Sequence, residues 1–221
     1  MGYYYDDNAG GGRRFLANVP DVTRNIIIIN IIVFAATWLS ESVMHSYVLT
    51  GTFALYYPGS RFFRIWQPLT YMFLHGGFFH ILFNMYTLYI FGSVVERIIG
   101  EKKFLIFYIL CGLGAAATQI GVQALEGGSG IPTVGASGAI YGLLIAYAML
   151  FPDNRLTLIF PPVSLKSKWM VVIFAVVELL FSISGSSDGV AHVAHLGGML
   201  FGWILIKYWR SAGTLFDRED L

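Results

Sequence analysis

Six apolar stretches dominate this chain and leave it few folds to choose from. They run from Ile26 to Met44, Phe78 to Val95, Phe104 to Leu125, Val134 to Phe151, Trp169 to Ile183 and Val190 to Ile206. A helix crosses a bilayer with about 20 apolar residues; most of these stretches reach or approach that length, and the fifth and sixth are somewhat short. Backbone amides cannot stay unpaired in hydrocarbon, so such stretches are expected to be helices. Only 12% of the 221 residues are charged, about half the share of a soluble domain. The expected fold is an all-α membrane protein of six transmembrane helices. Residues 23-210 form the membrane domain, flanked by polar tails over 1-22 and 211-221.

Charge placement orients the bundle. With the N-terminus inside, Arg13, Arg14, Arg24, Arg97, Lys102, Lys103, Arg155, Lys166, Lys168, Lys207, Arg210 and Arg218 lie on the cytoplasmic side, twelve of the fourteen basic residues. Only Arg61 and Arg64 fall outside, and this asymmetry makes both termini and both tails cytoplasmic. The glycine/serine-rich segment Glu126 to Thr133 and the loop Ser184 to Gly189 then lie outside. The net charge of +1 and the lack of a basic stripe give no sign of a nucleic-acid partner. The first 20 residues lack the apolar core of a cleavable signal. The single cysteine, Cys111, allows no internal disulfide and reads as a small packing residue.

The connection from His45 to Gly77 is long and aromatic, with Tyr56-Tyr57-Pro58-Gly59, Phe62-Phe63 and Ile65-Trp66. It is too apolar for a solvated linker and too interrupted for a span. It is expected to lie partly in the outer interface, where Trp and Tyr are favoured.

Ser137 and His195 are reactive groups at membrane depth, where polar side chains are costly and suggest function. Ser137 opens the fourth stretch between Gly135 and Gly138. From this segment alone, the simpler role is helix capping, although its backbone N–H would also suit an oxyanion. His195 lies about two turns into the sixth stretch, toward the same outer end. A serine needs a base to become a nucleophile, and histidine is the commonest one. Gly198 and Gly202 follow His195 on its own face, and Gly138 and Gly142 repeat the spacing in the fourth stretch. Such small-residue stripes let membrane helices approach closely. As packing alone they explain the glycines, and close packing is also what would bring Ser137 to His195.

His192, one turn before His195, is the rival base; it is expected nearer the surface, either supporting the site from behind or facing solvent. His80 and Asn84 share a face of the second stretch. They could be donors to an oxyanion, but taken alone an interhelical hydrogen-bonded pair is the simpler account. Tyr141 lies one turn beyond Ser137 and could pack on the imidazole. No acidic residue matches the outer depth of Ser137: Asp188 falls in a loop and Glu178 deeper in the fifth stretch. A Ser–His dyad is therefore expected rather than a triad, with Glu178 bonded to some neighbouring helix.

Trp66, His75-Gly-Gly-Phe-Phe-His80-Ile-Leu-Phe-Asn84, Gly135-Ala-Ser137-Gly-Ala-Ile-Tyr141-Gly and Ala194-His195-Leu-Gly-Gly198-Met-Leu-Phe-Gly202 together resemble the rhomboid intramembrane serine proteases. Each motif is weak; the ordered set across six spans is specific. The resemblance implies Ser137 as nucleophile, His195 as base, and His80, Asn84 and the Ser137 N–H as the oxyanion site. It implies that Tyr141 stacks on His195 and that Gly135 shapes the active-site loop. It also implies a multi-pass protein of a bacterial inner (plasma) membrane that cleaves single-span membrane proteins near the outer face. No cofactor and no metal is implied; the partners are the lipid bilayer and transmembrane protein substrates. Nothing in the sequence sets the oligomeric state. The fifth span, with Phe174 and Phe181, is the expected gate; the alternative is a fixed fifth span, with substrates entering from above under the first-loop cover. One departure is Trp66-Gln67, where well-known members carry Trp-Arg; glutamine lacks the arginine fork, so a less firmly tied first loop is expected. The alternatives are an inactive rhomboid-like protein that binds membrane clients, and a transporter or metal protein using His75, His80, His192 and His195. The latter lacks a His-Glu-x-x-His signature.

Overall fold

The computed structural model describes residues 18–128, 132–157, 162–184 and 190–215. Six longer helices follow the six apolar stretches: α1 Asp21–Val43, α4 Phe78–Ile99, α5 Glu101–Leu125, α6 Ser137–Leu150, α7 Ser167–Ser184 and α8 His192–Ser211. Two short helices, α2 Val48–Phe53 and α3 Gln67–Thr70, lie in the long first connection. Of the six, α1, α4, α5 and α7 are long and apolar enough to cross a bilayer. Helix α6 is apolar but has only 14 residues. Helix α8 carries His192, His195, Lys207 and Arg210 along its 20 residues. The fourth stretch loses its first turn because Gly135 has φ +128°, a conformation that no helix contains.

The all-α expectation needs one correction. Strands β1 Arg155–Thr157 and β2 Ser164–Lys166 pair antiparallel, with Arg155 opposite Lys166 and Leu156 opposite Leu165. Three-residue strands are too short for alternation to be visible in sequence. Beside them Asp153 receives the ammonium groups of Lys166 and Lys168, each at 2.9 Å.

Glycines place α6 and α8 in the middle of the bundle. The two helices run parallel. A Cβ on Gly198 would lie 1.8 Å from the Gly138 carbonyl oxygen, and one on Gly202 would lie 2.8 Å from that of Gly142. Only hydrogen at these positions lets the backbones meet. Helix α5 runs antiparallel to the pair: a Cβ on Gly114 would strike the Phe201 ring, and one on Gly197 would strike Thr118. Cys111 fills the space facing Gly142 and is fully buried, so its packing role holds.

Glu96 is buried at the far end of α4 and accepts the Val22 and Thr23 N–H groups at 2.9 and 2.7 Å. A carboxylate thus satisfies the first orphan amides of α1 and faces its positive dipole end. By contrast Ile28, Ile29, Ile31 and Ile32 of α1, and Phe78, Phe79 and Phe83 of α4, are exposed. In water this would be a large apolar liability; in hydrocarbon it is the solvent-facing side.

The first connection is tied down, contrary to the expectation from Trp66-Gln67. Gln67 is fully buried. Its Nε2 donates to the Thr52 and Phe62 carbonyls at 3.2 and 2.9 Å, and its Oε1 accepts the Tyr56 N–H at 3.3 Å. Trp66 Nε1 also donates to Thr52 O at 3.1 Å. A glutamine that both donates and accepts holds the loop without a guanidinium fork. Leu55 and Thr133 exchange a pair of 2.9 Å backbone bonds, and Gly135 N donates to Tyr71 O at 2.9 Å. The loop therefore grips the segment that leads into α6.

Candidate active site

Ser137 is the first residue of α6, and its hydroxyl does not cap the helix. Instead Ser137 Oγ lies 2.8 Å from His195 Nε2. Two elements make this contact. The left-handed turn at Gly135, pinned to Tyr71, aims Ser137 out of the helix axis. The Gly138–Gly198 contact brings the α8 backbone close enough for the imidazole to reach it. His195 is in the first turn of α8, since the helix starts at His192 rather than Val190. Both histidines are buried, His192 at 9% and His195 at 7% exposure. The Tyr141 ring lies 4.3 Å from that of His195, with 12° between their planes, which fixes the imidazole plane by offset stacking.

His80 and Asn84 lie one turn apart on α4, and His80 faces this site. A Cβ on Gly135 would sit 2.8 Å from His80 Nε2 and 3.5 Å from Ser137 Oγ. The imidazole and the hydroxyl thus flank the same small space, which a side chain at 135 would fill. His80 Nδ1 accepts a long 3.4 Å bond from Gly76 N, which leaves the proton on Nε2, toward that space. Asn84 is buried, and its Nδ2 finds no acceptor among the described residues. A buried donor without an acceptor is costly unless something fills the role in a working state. His75, in the loop before α4, packs edge-on against His80 at 5.0 Å. Burial, reinforced by the neighbouring His80, pushes its pKa down to about 3, so it stays neutral.

Glu178 differs most from expectation. Glu178 is 5% exposed and reaches the site itself. Its Oε2 lies 2.6 Å from His192 Nδ1 and 3.0 Å from His195 Nδ1, and its Oε1 accepts the Tyr141 hydroxyl. It does bond to neighbouring helices, as expected, but not at a separate depth. Of its two expected places His192 takes the supporting one: it is buried, stacks on Phe181 at 5.1 Å and 14°, and meets Glu178. Counting residues along spans with uncertain ends could not give these depths, and no sequence signal says which face α7 turns to α8. A usable clue was the charge itself, since a lone acid in an apolar span needs a partner.

Glu178, His192 and His195 offer three ligand atoms within 4.8 Å of one another. The 2.6 Å approach of Glu178 to His192 is shorter than the roughly 3.3 Å that separates two ligands of one tetrahedral zinc. The arrangement is that of hydrogen-bonded partners, and a cation would have to spread it. Asp188 lies outside the described residues.

A family model described as the Rhomboid domain matches residues 63–211. Presenilin-associated rhomboid-like protein, mitochondrial, of Bos taurus is 34% identical over 62% of this chain and 36% of its own length. Putative rhomboid protease YdcA of Bacillus subtilis is 31% identical over 78% of this chain and 84% of its own. RHOMBOID-like protein 4 of Arabidopsis thaliana is 34% identical over 63% and 33%. The chain thus spans about a third of the mammalian and plant relatives and most of the bacterial one.

Proposed function

Because the chain belongs to the rhomboid family of membrane proteins, we propose that it is an intramembrane serine endopeptidase acting through Ser137 and His195. The observation that carries this reading is the 2.8 Å contact between Ser137 Oγ and His195 Nε2, part-buried where α6 and α8 meet.

The chemistry follows from the geometry. Nε2 of His195 takes the hydroxyl proton as Ser137 Oγ attacks a peptide carbonyl. The tetrahedral oxyanion is met by the Ser137 N–H at the start of α6, by His80 Nε2–H and by Asn84 Nδ2–H. Collapse breaks the C–N bond while His195 passes its proton to the leaving nitrogen. Water then gives His195 a proton as its hydroxide adds to the acyl carbon; the ester C–Oγ bond breaks, the acid leaves, and His195 returns the proton to Ser137 Oγ. A helical substrate must unwind locally, because its amides are shielded by their own hydrogen bonds. The proposed substrates are single-span membrane proteins.

The proposed topology has six spans, with α6 and α8 central and short or polar because protein surrounds them. Both termini are cytoplasmic in a bacterial inner membrane, the first connection lies in the outer interface, and the site opens to outer water. Helix α7 is the proposed gate. It buries only Ser167, Met170, Val171 and Glu178, and Phe174 packs low, near Met170 and Val171.

The test is cleavage of a model single-span substrate in proteoliposomes, with fluorophosphonate labelling in detergent. The unsubstituted protein should cleave and be labelled, resist chelators, and lose both activities in Ser137→Ala and in His195→Ala. The double variant should be little worse than either, because the two act as one unit. A folded protein that binds the substrate but neither cleaves it nor takes the label would instead be a client-binding member of the family.

A further inference from the structure

We propose that Glu178 is a positioning residue that holds His195 in its reactive tautomer, extending the expected dyad into a three-helix relay. This rests on the Ser137–His195 reading.

For Nε2 of His195 to accept from Ser137 Oγ at 2.8 Å, the ring proton must sit on Nδ1. That Nδ1 is buried and makes no aligned hydrogen bond among the described residues. Glu178 Oε2 is 3.0 Å away, so a small turn of either side chain completes the bond. The carboxylate is itself held. Tyr141 donates to its Oε1, and His192 Nδ1 lies 2.6 Å from its Oε2. Tyr141 thus fixes His195 twice, by stacking on its ring and by anchoring the group that faces its Nδ1. When His195 takes the serine proton, the new positive charge forms beside a carboxylate in a low-dielectric site, where the attraction counts most.

Glu178 also lies on α7, whereas Ser137 and His195 lie on α6 and α8. The site is therefore fully assembled only while α7 is packed against α8. Phe181 on His192 is the second contact of this kind. Movement of α7 and readiness of His195 are coupled through one side chain.

The test is Glu178→Gln in the full chain, read as the rate constant and stoichiometry of fluorophosphonate labelling, together with kcat and KM. A glutamine N–H facing Nδ1 favours the wrong tautomer. In the serine-protease triad the comparable change costs about 10⁴-fold in kcat. Here Tyr141 still fixes the ring plane, so the expected loss is smaller, on the order of 10²-fold in labelling rate and kcat. Stoichiometry and KM should hold. Glu178→Asp keeps the charge and withdraws it by one methylene. It should also label slowly, and it carries the test if Glu178→Gln fails to fold. Labelling at the unsubstituted rate, or at that rate with fewer sites, would overturn positioning and leave a structural role. Faster cleavage of the membrane substrate would overturn it in favour of a latch on α7. Failure of the unsubstituted protein to label at Ser137 would instead remove the underlying protease reading.

Discussion

Replacing Gly198 with alanine is the sharpest perturbation of the site that touches none of its reactive groups. The added Cβ would lie 1.8 Å from the Gly138 carbonyl oxygen and 2.7 Å from its carbon. Both atoms are backbone, so no rotamer can relieve the clash. Reaching ordinary van der Waals contact requires α8 to retreat from α6 by about 1.5 Å. Ser137 and His195 sit on these two helices within one turn of the clash, so their 2.8 Å contact must stretch beyond hydrogen-bond range. A misplacement of this size costs about 10²-fold in turnover, and overpacking costs about 1–3 kcal/mol of stability. The assay is kcat in proteoliposomes beside Tm in detergent. Gly121→Ala is the control: no described residue lies within 4 Å of its added Cβ, so neither readout should fall. A Gly198→Ala protein with unchanged turnover and Tm would refute the argument that glycine contact sets the Ser–His distance.

Three further outcomes are expected. Asn84→Ala removes a buried donor with no acceptor among the described residues, so Tm should hold while kcat falls by about 10–10²-fold with KM little changed; an effect on KM alone would assign Asn84 to docking. Gln67→Ala removes three buried hydrogen bonds of the first connection, which should cost about 2–3 kcal/mol and speed proteolytic nicking between residues 45 and 77; unchanged nicking would show that Trp66 and the Leu55–Thr133 pairing suffice. Glu96→Ala orphans the Val22 and Thr23 amides at the start of α1, costing about 3 kcal/mol in thermal stability, with the labelling rate of the folded fraction unchanged.

Periodicity and composition alone determined that this chain is a bundle of apolar helices, because hydrocarbon admits no other way to pair a backbone amide in a spanning segment. The glycine stripes at 138/142 and 198/202 also marked a face for close packing on each of two helices, because four-residue spacing puts both glycines on one side; that these faces meet each other is read from the structure. Ser137, His195, His80, Asn84, Gly135 and Tyr141 were nameable from residue type, spacing and likeness to a family. Sequence could not say how far each side chain reaches across the space between helices. Gln67 lacks the arginine fork, and only the structure shows the three backbone partners that make up for it, none closer than five residues along the chain. Depth counted along each span separately puts Glu178 too deep and leaves His192 open between a supporting place and a solvent-facing one. Tilt, rotation and the true starts of α7 and α8 are set by packing against α6, a property of the assembled bundle rather than of any segment. Only the tertiary structure could bring the α7 carboxylate to Nδ1 of an α8 histidine whose Nε2 faces the α6 serine, because that contact joins three helices and is encoded by none of them alone.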